Sequence, residues 1–365
     1  MKVLTVVGAR PQFIKAAVVS HELRKKHTEI LVHTGQHYDY SMSERFFEEL
    51  NIPRPDYNLG ISGGTHAQMT GNMMIALEEV LLKEKPDVLL IYGDTNSTLA
   101  AALAASKIHI PICHVEAGPR SHSKRLENPE EINRICTDHL STLLLASTES
   151  GMTELQREGL IERAHLVGDP MYDAFMEYGT YRTRDDIELI SLIDDKLISV
   201  PERYYYLTCH REENSNDNAL EEILGGMNSF EEKTIYPVHP RNKDRVKRIV
   251  SKNNFGNIIL TEPVGYLDSI ALTNNSIAVV TDSGGLQREA FWAKKQCLTI
   301  LDFVAWPETM VNNRNQLVKP IATDIIDKFN NKMTIEEDYQ PFGDGHSAVK
   351  IVELLESTFS LDGKN

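Results

Sequence analysis

The chain has 365 residues, 41% hydrophobic and 25% charged, with a formal net charge of −15. That length exceeds the roughly 250–300 residues that one core usually serves, so two domains are expected. The acidic balance repels nucleic acid and anionic lipid and argues against both as partners. An anionic ligand would need a local cluster of Arg, Lys and helix N-termini.

In chain order, residues 2–8 read as an apolar strand ending in Gly8, too short to be the core of a signal peptide. Pro11 then sits where proline is tolerated, in the first turn of a helix that continues over 13–23. Residues 29–34 read as the second strand, and Met69, Met73, Leu77 and Val80 give 65–85 helical spacing. A strand at 88–92 runs into Gly93-Asp94-Thr95-Asn96-Ser97 and an Ala-rich helix over 98–108. Strands follow at 111–115, 143–146 and 164–167, the first of them leading into the charged stretch HVEAGPRSHSKRLENPEEINR at 114–134. Gly168-Asp169-Pro170 marks the end of an N-terminal domain, 1–168, and the pattern restarts in a C-terminal domain, 169–345. Strands at 204–208, 234–238, 257–260, 277–281 and 296–300 alternate there with helices that include 218–230 and 285–294. The last helix, 348–359, is expected to pack back across the boundary. Alternating strands and helices imply two doubly wound, parallel α/β domains, with ligands outside the carboxyl ends of the strands, in a cleft between them. No apolar run approaches the ~20 residues that span a bilayer. Cys113, Cys136, Cys209 and Cys297 are far apart with no CxxC, so neither a disulfide framework nor a zinc site is expected and a reducing cytoplasm fits.

Five strand ends carry candidate chemistry. Gly8-Ala9-Arg10-Pro11 is a strand–helix turn whose helix N-terminus favours an anion, with Arg10 and Lys15 adding positive charge; a plain turn is the other reading. Asp94, just past its strand, is either a helix N-cap, a role Thr95 or Ser97 could serve as well, or a catalytic acid. Glu116 follows the strand at 111–115, with Glu130 and Glu131 opening a helix and Arg120, Arg125 and Arg134 nearby: a proton-transfer site beside an anion, or a charged loop entering a capped helix. His210 ends the first strand of the second domain with Arg211 beside it, where a protonated histidine can offset phosphate charge; a purely structural histidine is the other reading. Thr281-Asp282-Ser283-Gly284-Gly285 is the most specific local signal: a strand ends, the glycines clear the approach, and free helix N–H groups can cradle a diphosphate. Glu289, farther along that helix, could accept two ribose hydroxyls, and a nucleoside diphosphate is the implied ligand; a Gly-rich turn with a surface glutamate is the other reading.

Taken together, GARPQFIKAA, YGDTNSTLAAALAA, HVEAGPR, NPEEINRICTDHL, TCHREEN, VHPRN, PVGYLDSIAL and TDSGGLQREA run in that order along nearly the whole chain. This closely resembles the non-hydrolysing UDP-N-acetylglucosamine 2-epimerase family. The resemblance implies two Rossmann-like domains in a GT-B-like arrangement, a homodimer and no redox cofactor or metal. It also implies interconversion of UDP-GlcNAc and UDP-ManNAc for surface polysaccharide synthesis. The implied chemistry eliminates UDP from C1 with loss of the C2 proton, then adds UDP back to the 2-acetamidoglucal with a proton delivered to the other face. Matched motif by motif, Asp94, Glu116 and Glu130 become acid/base candidates and Arg134 their organiser. His210 would stabilise the leaving UDP, helped by Arg10 and Lys15. Ser283, Gly284 and Gly285 would hold the diphosphate, and Glu289 the ribose.

The chain also departs from the pattern. Pro119 stands where the family has leucine, and Trp306 where many members carry the arginine of ERPE. Trp306 and the form of GARPQFIKAA resemble a branch that acts on UDP-2,3-diacetamido-2,3-dideoxyglucuronate. The TGQH motif (Gln36, His37) that serves a second, activating site in some members is present, but Asn72 falls where that site has an arginine. A hydrolysing 2-epimerase, a GT-B glycosyltransferase and a non-catalytic UDP-sugar binder are the competing readings.

Overall fold

The computed structural model describes residues 1–36, 46–122 and 128–359. It divides into two compact units, Met1–Met176 with the segment from Gln340 onward, and Glu177–Tyr339.

The first unit is built on β1 (Lys2–Val7), α1 (Arg10–Leu23), β2 (Thr28–His33), β3 (Tyr57–Asn58), α2 (His66–Glu84), β4 (Val88–Tyr92), α3 (Asn96–Lys107) and β5 (Ile112–Val115). It continues through α4 (Pro129–Leu140), β6 (Leu143–Ala146), α5 (Glu149–Arg157), β7 (Ala164–Leu166) and α6 (Pro170–Tyr178). Its strands pair in parallel in the order β3-β2-β1-β4-β5-β6-β7. The sequence VLLIY of β4 is buried at every position, as a strand covered on both faces must be. Met73, Leu77 and Leu81 of α2 and Ala100, Ala101, Ala104 and Ala105 of α3 close on Leu4, Val6, Leu89 and Ile91 of the sheet. The alanine run keeps α3 thin enough to pack beside α2 and α4 at once.

The second unit holds a short antiparallel hairpin, β8 (Leu189–Ile190) with β9 (Leu197–Ile198). Its main sheet alternates β10 (Tyr204–Thr208), α7 (Asp217–Asn228), β11 (Lys233–Pro237), α8 (Lys243–Asn253), β12 (Ile258–Thr261), α9 (Tyr266–Asn275) and β13 (Ala278–Thr281). α10 (Gly284–Trp292), β14 (Gln296–Thr299), β15 (Asn315–Leu317) and α11 (Ala322–Asn330) complete it. The parallel order is β12-β11-β10-β13-β14-β15. Period-two alternation sends Tyr204, Tyr206 and Val279 into one apolar layer and Leu207, Ala278 and Val280 into the other.

The last helix, α12 (Ser347–Phe359), packs along α1, with His27 Nε2 3.0 Å from Glu356 Oε1. The unit boundary falls after α6 has begun rather than at Gly168-Asp169-Pro170. α6 is tied into the first unit: Ala348 N–H donates to Asp173 Oδ2 at 2.8 Å, and Asp169 N–H to Phe342 O at 2.9 Å. No helix among the described residues is long and apolar enough to cross a membrane.

Both sheets reverse their strand order beside the first strand, at β1/β4 and at β10/β13. In an open α/β sheet the crevice at such a reversal is where ligands bind. Gly8 to Arg10 follows β1, Asp94 follows β4, His210 follows β10 and Ser283 follows β13.

Gly118 makes the turn after β5 possible. Its φ is +98°, and a Cβ there would meet Gly151 O at 2.4 Å. A Gly118→Ala chain is therefore expected to lose about 2–3 kcal/mol of stability, read from the urea midpoint; an unchanged midpoint would show that the turn can relax.

Candidate active site

In the first unit, three neighbouring strand ends bring acids and cations together. Glu116 follows β5 with φ +68°, a left-handed conformation that costs an L residue about 1 kcal/mol or more. Its N–H and that of Ala117 both donate to Leu145 O, at 3.0 and 3.1 Å. The Glu116 carboxylate meets the Lys15 ammonium at 2.6 Å, with the two side chains only 8% and 2% exposed. A Cβ at Gly93 (φ +62°) would lie 3.5 Å from Glu116 Oε1 and 3.6 Å from Lys15 Nζ. The backbone entering Asp94 thus runs against this ion pair.

Asp94 is not the cap of α3. Thr95 is, its side chain accepting the Thr98 N–H at 3.3 Å. Asp94 instead pairs its carboxylate with Arg134 of α4, while Asn133 Nδ2 donates to Asp94 O at 2.9 Å. Asn128 caps α4 through the Glu130 N–H, 3.1 Å away. Glu130 is exposed in the first turn of α4, whereas Glu131 is buried, accepting from Ser121 N–H and Arg134 Nη1, each at 3.1 Å. Arg10 is half-buried, its guanidinium 4.6 Å from the centre of the Phe46 ring. Arg120 pairs with Asp138 and Glu158. Arg125 and His37 lie outside the described residues. Gln36 accepts from Ser97 N–H at 3.0 Å, and Asn72 is exposed on α2.

In the second unit the centre is Asp282, fully buried after β13. It accepts the His210 N–H at 2.9 Å and the Arg211 N–H at 2.8 Å, and its Oδ1 lies 2.9 Å from His210 Nδ1. Burial raises the Asp282 carboxyl, but the His210 side chain and the donated N–H groups more than offset this and hold it at about 2. The carboxylate orients the half-exposed His210 ring by its Nδ1 and turns Nε2 the other way. The His239 ring of the VHPRN motif lies 6.4 Å away.

Ser283 caps α10, accepting the Leu286 N–H at 3.3 Å. A Cβ at Gly284 would come no nearer than 3.8 Å to Gln287 Nε2 and 4.0 Å to Trp306 Nε1, so the start of α10 stays uncrowded. Glu289 is buried at 4% exposure rather than a surface group. Trp306 carries the Arg288 guanidinium on its ring face at 4.0 Å, and Arg288 Nε donates to Gly284 O. Among the described residues no group of three or more His, Cys, Asp or Glu is arranged to hold a metal ion.

Lys15, expected to help His210 stabilise the leaving UDP, is paired with Glu116. Gln12, not among the expected site residues, accepts through Oε1 from Gly8 N–H at 2.8 Å and Ala9 N–H at 3.0 Å. Its Nε2 donates to Tyr92 O at 2.8 Å, tying the β1 turn to the end of β4. Gln at the third position of a helix is a legible capping signal. His114 and Asp138, 2.7 Å apart and fully buried, were missed because nothing in their spacing announces contact.

Two Rossmann-like units, one with an acid–cation cluster and one with an open helix N-terminus at its switch point, define the class of protein. The chain belongs to the UDP-N-acetylglucosamine 2-epimerase family, whose sequence pattern matches residues 21–356. It is 44% identical over 360 residues to a UDP-N-acetylglucosamine 2-epimerase homolog of Methanococcus maripaludis, covering 97% of this chain and 99% of that one. Over 366 residues it is 43% identical to the UDP-2,3-diacetamido-2,3-dideoxy-D-glucuronate 2-epimerase of Pseudomonas aeruginosa, with coverage of 97% and 99%. The crystal structure of Methanocaldococcus jannaschii UDP-GlcNAc 2-epimerase in complex with UDP-GlcNAc and UDP matches it with a TM-score of 0.85 at 38% identity, covering 98% of this chain and 100% of that one.

Two consequences are measurable. Removing one partner of a buried ion pair leaves an uncompensated charge, so Lys15→Met should cost about 3 kcal/mol or more in urea unfolding. A drop below ~1 kcal/mol would mean that water reaches Glu116. Because the Asp282 carboxyl is depressed on folding, its contribution is present above the unfolded value near 4 and fades as pH falls through about 2. Asp282→Asn should therefore cost about 2 kcal/mol at neutral pH, with the gap to the parent chain narrowing between pH ~4 and ~2; a pH-independent gap would contradict the assignment.

Proposed function

We propose that this protein is a non-hydrolysing 2-epimerase that interconverts UDP-GlcNAc and UDP-ManNAc. The observation that carries the reading is the buried Lys15–Glu116 pair beside Asp94 at the β1/β4 switch point, in a chain of this family. The reaction needs a group that removes an unactivated C2 proton, a group that returns a proton to the opposite face, and a firm hold on the departing UDP. Glu116, as the anionic half of an ion pair, is in the form that accepts a proton. Asp94 and Glu130 are the other carboxylates, and Arg134 orients Asp94. As the C2–H bond breaks, its electrons form the C1–C2 double bond and the C1–O bond breaks towards UDP, leaving a 2-acetamidoglucal. Re-addition of UDP at C1 with protonation on the other face of C2 completes the inversion.

UDP is held through the start of α10. Ser283 and the N–H groups of Gly284 and Gly285 face the diphosphate with the positive end of the helix dipole. His210, fixed by Asp282, offsets the charge that develops on the leaving oxygen. Arg10 adds positive charge, and Glu289 receives the ribose hydroxyls. We place the enzyme in the cytoplasm, in keeping with its four free cysteines, and as a homodimer. Exposed Met74, Ile75 and Leu82 on α2 supply an apolar surface for a second copy. Light scattering should give twice the chain mass; the mass of one chain would refute the dimer.

A second reading is supported by Trp306, by GARPQFIKAA and by an identity of 43% to the diacetamido-glucuronate enzyme, against 39% to the UDP-N-acetylglucosamine 2-epimerase of Methanocaldococcus jannaschii. Incubation in D2O followed by proton NMR, with each nucleotide sugar in turn, separates the two. Deuterium at C2 and a UDP-ManNAc anomeric signal are expected from UDP-GlcNAc, and exchange confined to the diacetamido sugar would favour the second reading. Intact UDP binding with no C2 exchange on either sugar would end the epimerase proposal, and free ManNAc would indicate a hydrolysing enzyme. Glu116→Gln should slow exchange at least ~100-fold, the scale of a lost acid/base group; near-normal turnover would remove Glu116 from the chemistry.

A further inference from the structure

Glu116 sits in a backbone conformation that its own residue type disfavours, so its neighbours must hold it there. The residues two before and two after it are both fastened to one side chain. His114 Nδ1 lies 2.7 Å from Asp138 Oδ1, and the Gly118 N–H donates to Asp138 Oδ2 at 3.2 Å. The other ring nitrogen of His114, Nε2, is 2.7 Å from the carbonyl oxygen of Gly93, the residue before Asp94. Asp138 lies on α4, the helix that carries Glu130 and Arg134. One buried link therefore joins the turn bearing Glu116, the turn bearing Asp94 and the helix bearing Glu130.

The chemistry of the link is closed. Both ring nitrogens of His114 face oxygens, one of the Asp138 carboxylate and one of the Gly93 carbonyl. Asp138 also accepts Arg120 Nη2 at 2.8 Å, and Arg120 reaches Glu158 through Nε at 2.7 Å. His139 Nε2 lies 3.1 Å from Glu158 Oε2 at the outer end. His114, Asp138 and the Arg120 side chain are at most 3% exposed. Burial alone would raise the Asp138 carboxyl, yet His114 and Arg120 hold it below the usual range, as a carboxylate that accepts from every side. A buried network of this kind keeps its geometry only while every member is paired.

We propose that His114 and Asp138 are positioning residues for the 2-epimerase reaction, clamping the turns of Asp94 and Glu116 to α4 so that the acid/base carboxylates keep their spacing about the sugar. This rests on the function proposed above. Of the groups assigned to UDP, His210, Ser283, Gly284, Gly285 and Glu289 belong to the other unit and Arg10 to α1, whereas the clamp is built from the β5 turn and α4. Loosening the clamp is therefore expected to act on turnover and leave UDP binding alone.

The test uses the full chain and two variants, Asp138→Asn and Arg120→Lys. Exchange at C2 of the sugar that the parent chain turns over is measured in D2O and expressed per UDP-binding site, with UDP affinity measured separately. That normalisation removes any effect of a smaller folded fraction, which is all that a merely structural role would produce. An amide at position 138 cannot accept from His114, Gly118 and Arg120 together. Displacing catalytic groups by about 1 Å can cost ~100-fold in rate, and that fall in kcat is expected for Asp138→Asn, with KM and UDP affinity within about 3-fold of the parent. Arg120→Lys keeps the charge and loses the planar fork, so it should fold even if the first variant does not and lower kcat by about 10-fold. Folded variants with parental kcat, or with UDP affinity falling as far as kcat, would overturn the clamp. If the parent chain exchanges C2 on no UDP-sugar, the functional reading fails first, which sets that failure apart from failure of the clamp.

Discussion

A lysine ammonium and a glutamate carboxylate, both nearly sealed from water and 2.6 Å apart, are the interaction on which the first unit's site depends. Neither charge could be buried alone, because desolvation of a lone ion costs several kcal/mol. The pair therefore fixes α1, which carries Lys15, against the end of β5, which carries Glu116. It does so at the reversal of strand order, where a parallel sheet leaves its loops open. Gly93 passes close to the pair, so the turn into Asp94 is shaped by the same contact.

The second unit solves a different problem with similar means. The acid there is internal, fully buried after β13. Asp282 takes up the backbone N–H groups of His210 and Arg211 and orients the imidazole. In each unit a buried carboxylate organises the groups around a strand end. In the first the carboxylate is itself a proposed reacting group; in the second it supports one.

The departures from the family pattern fall close to these centres. Trp306, where the resemblance leads one to expect arginine, stacks on Arg288, and Arg288 reaches back to Gly284 O at the start of α10. A guanidinium is thus held beside the start of α10 by a side chain of that same helix. Pro119 lies between Gly118, which donates to Asp138, and Arg120, which pairs with it. A fixed φ there stiffens a turn that is already held on both sides.

Much of this was legible in one dimension. Apolar runs ending in Gly, Asp or His mark strands β1, β4, β10 and β13, and the ordered motifs around them name the family, because periodicity and turn chemistry are local properties. β3, β15 and the β8–β9 hairpin were not legible: they are two or three residues long, and NQL in β15 carries no apolar alternation. The sequence by itself determined which residue types stand at the strand ends, and hence the chemical class of the site. Only the tertiary structure decided the partners: that Lys15 serves Glu116, that Thr95 rather than Asp94 caps α3, and that Asp138 grips both sides of Glu116. The reason is physical. Burial and ion pairing join residues far apart in the chain, and no spacing along it encodes which charge will be brought to which.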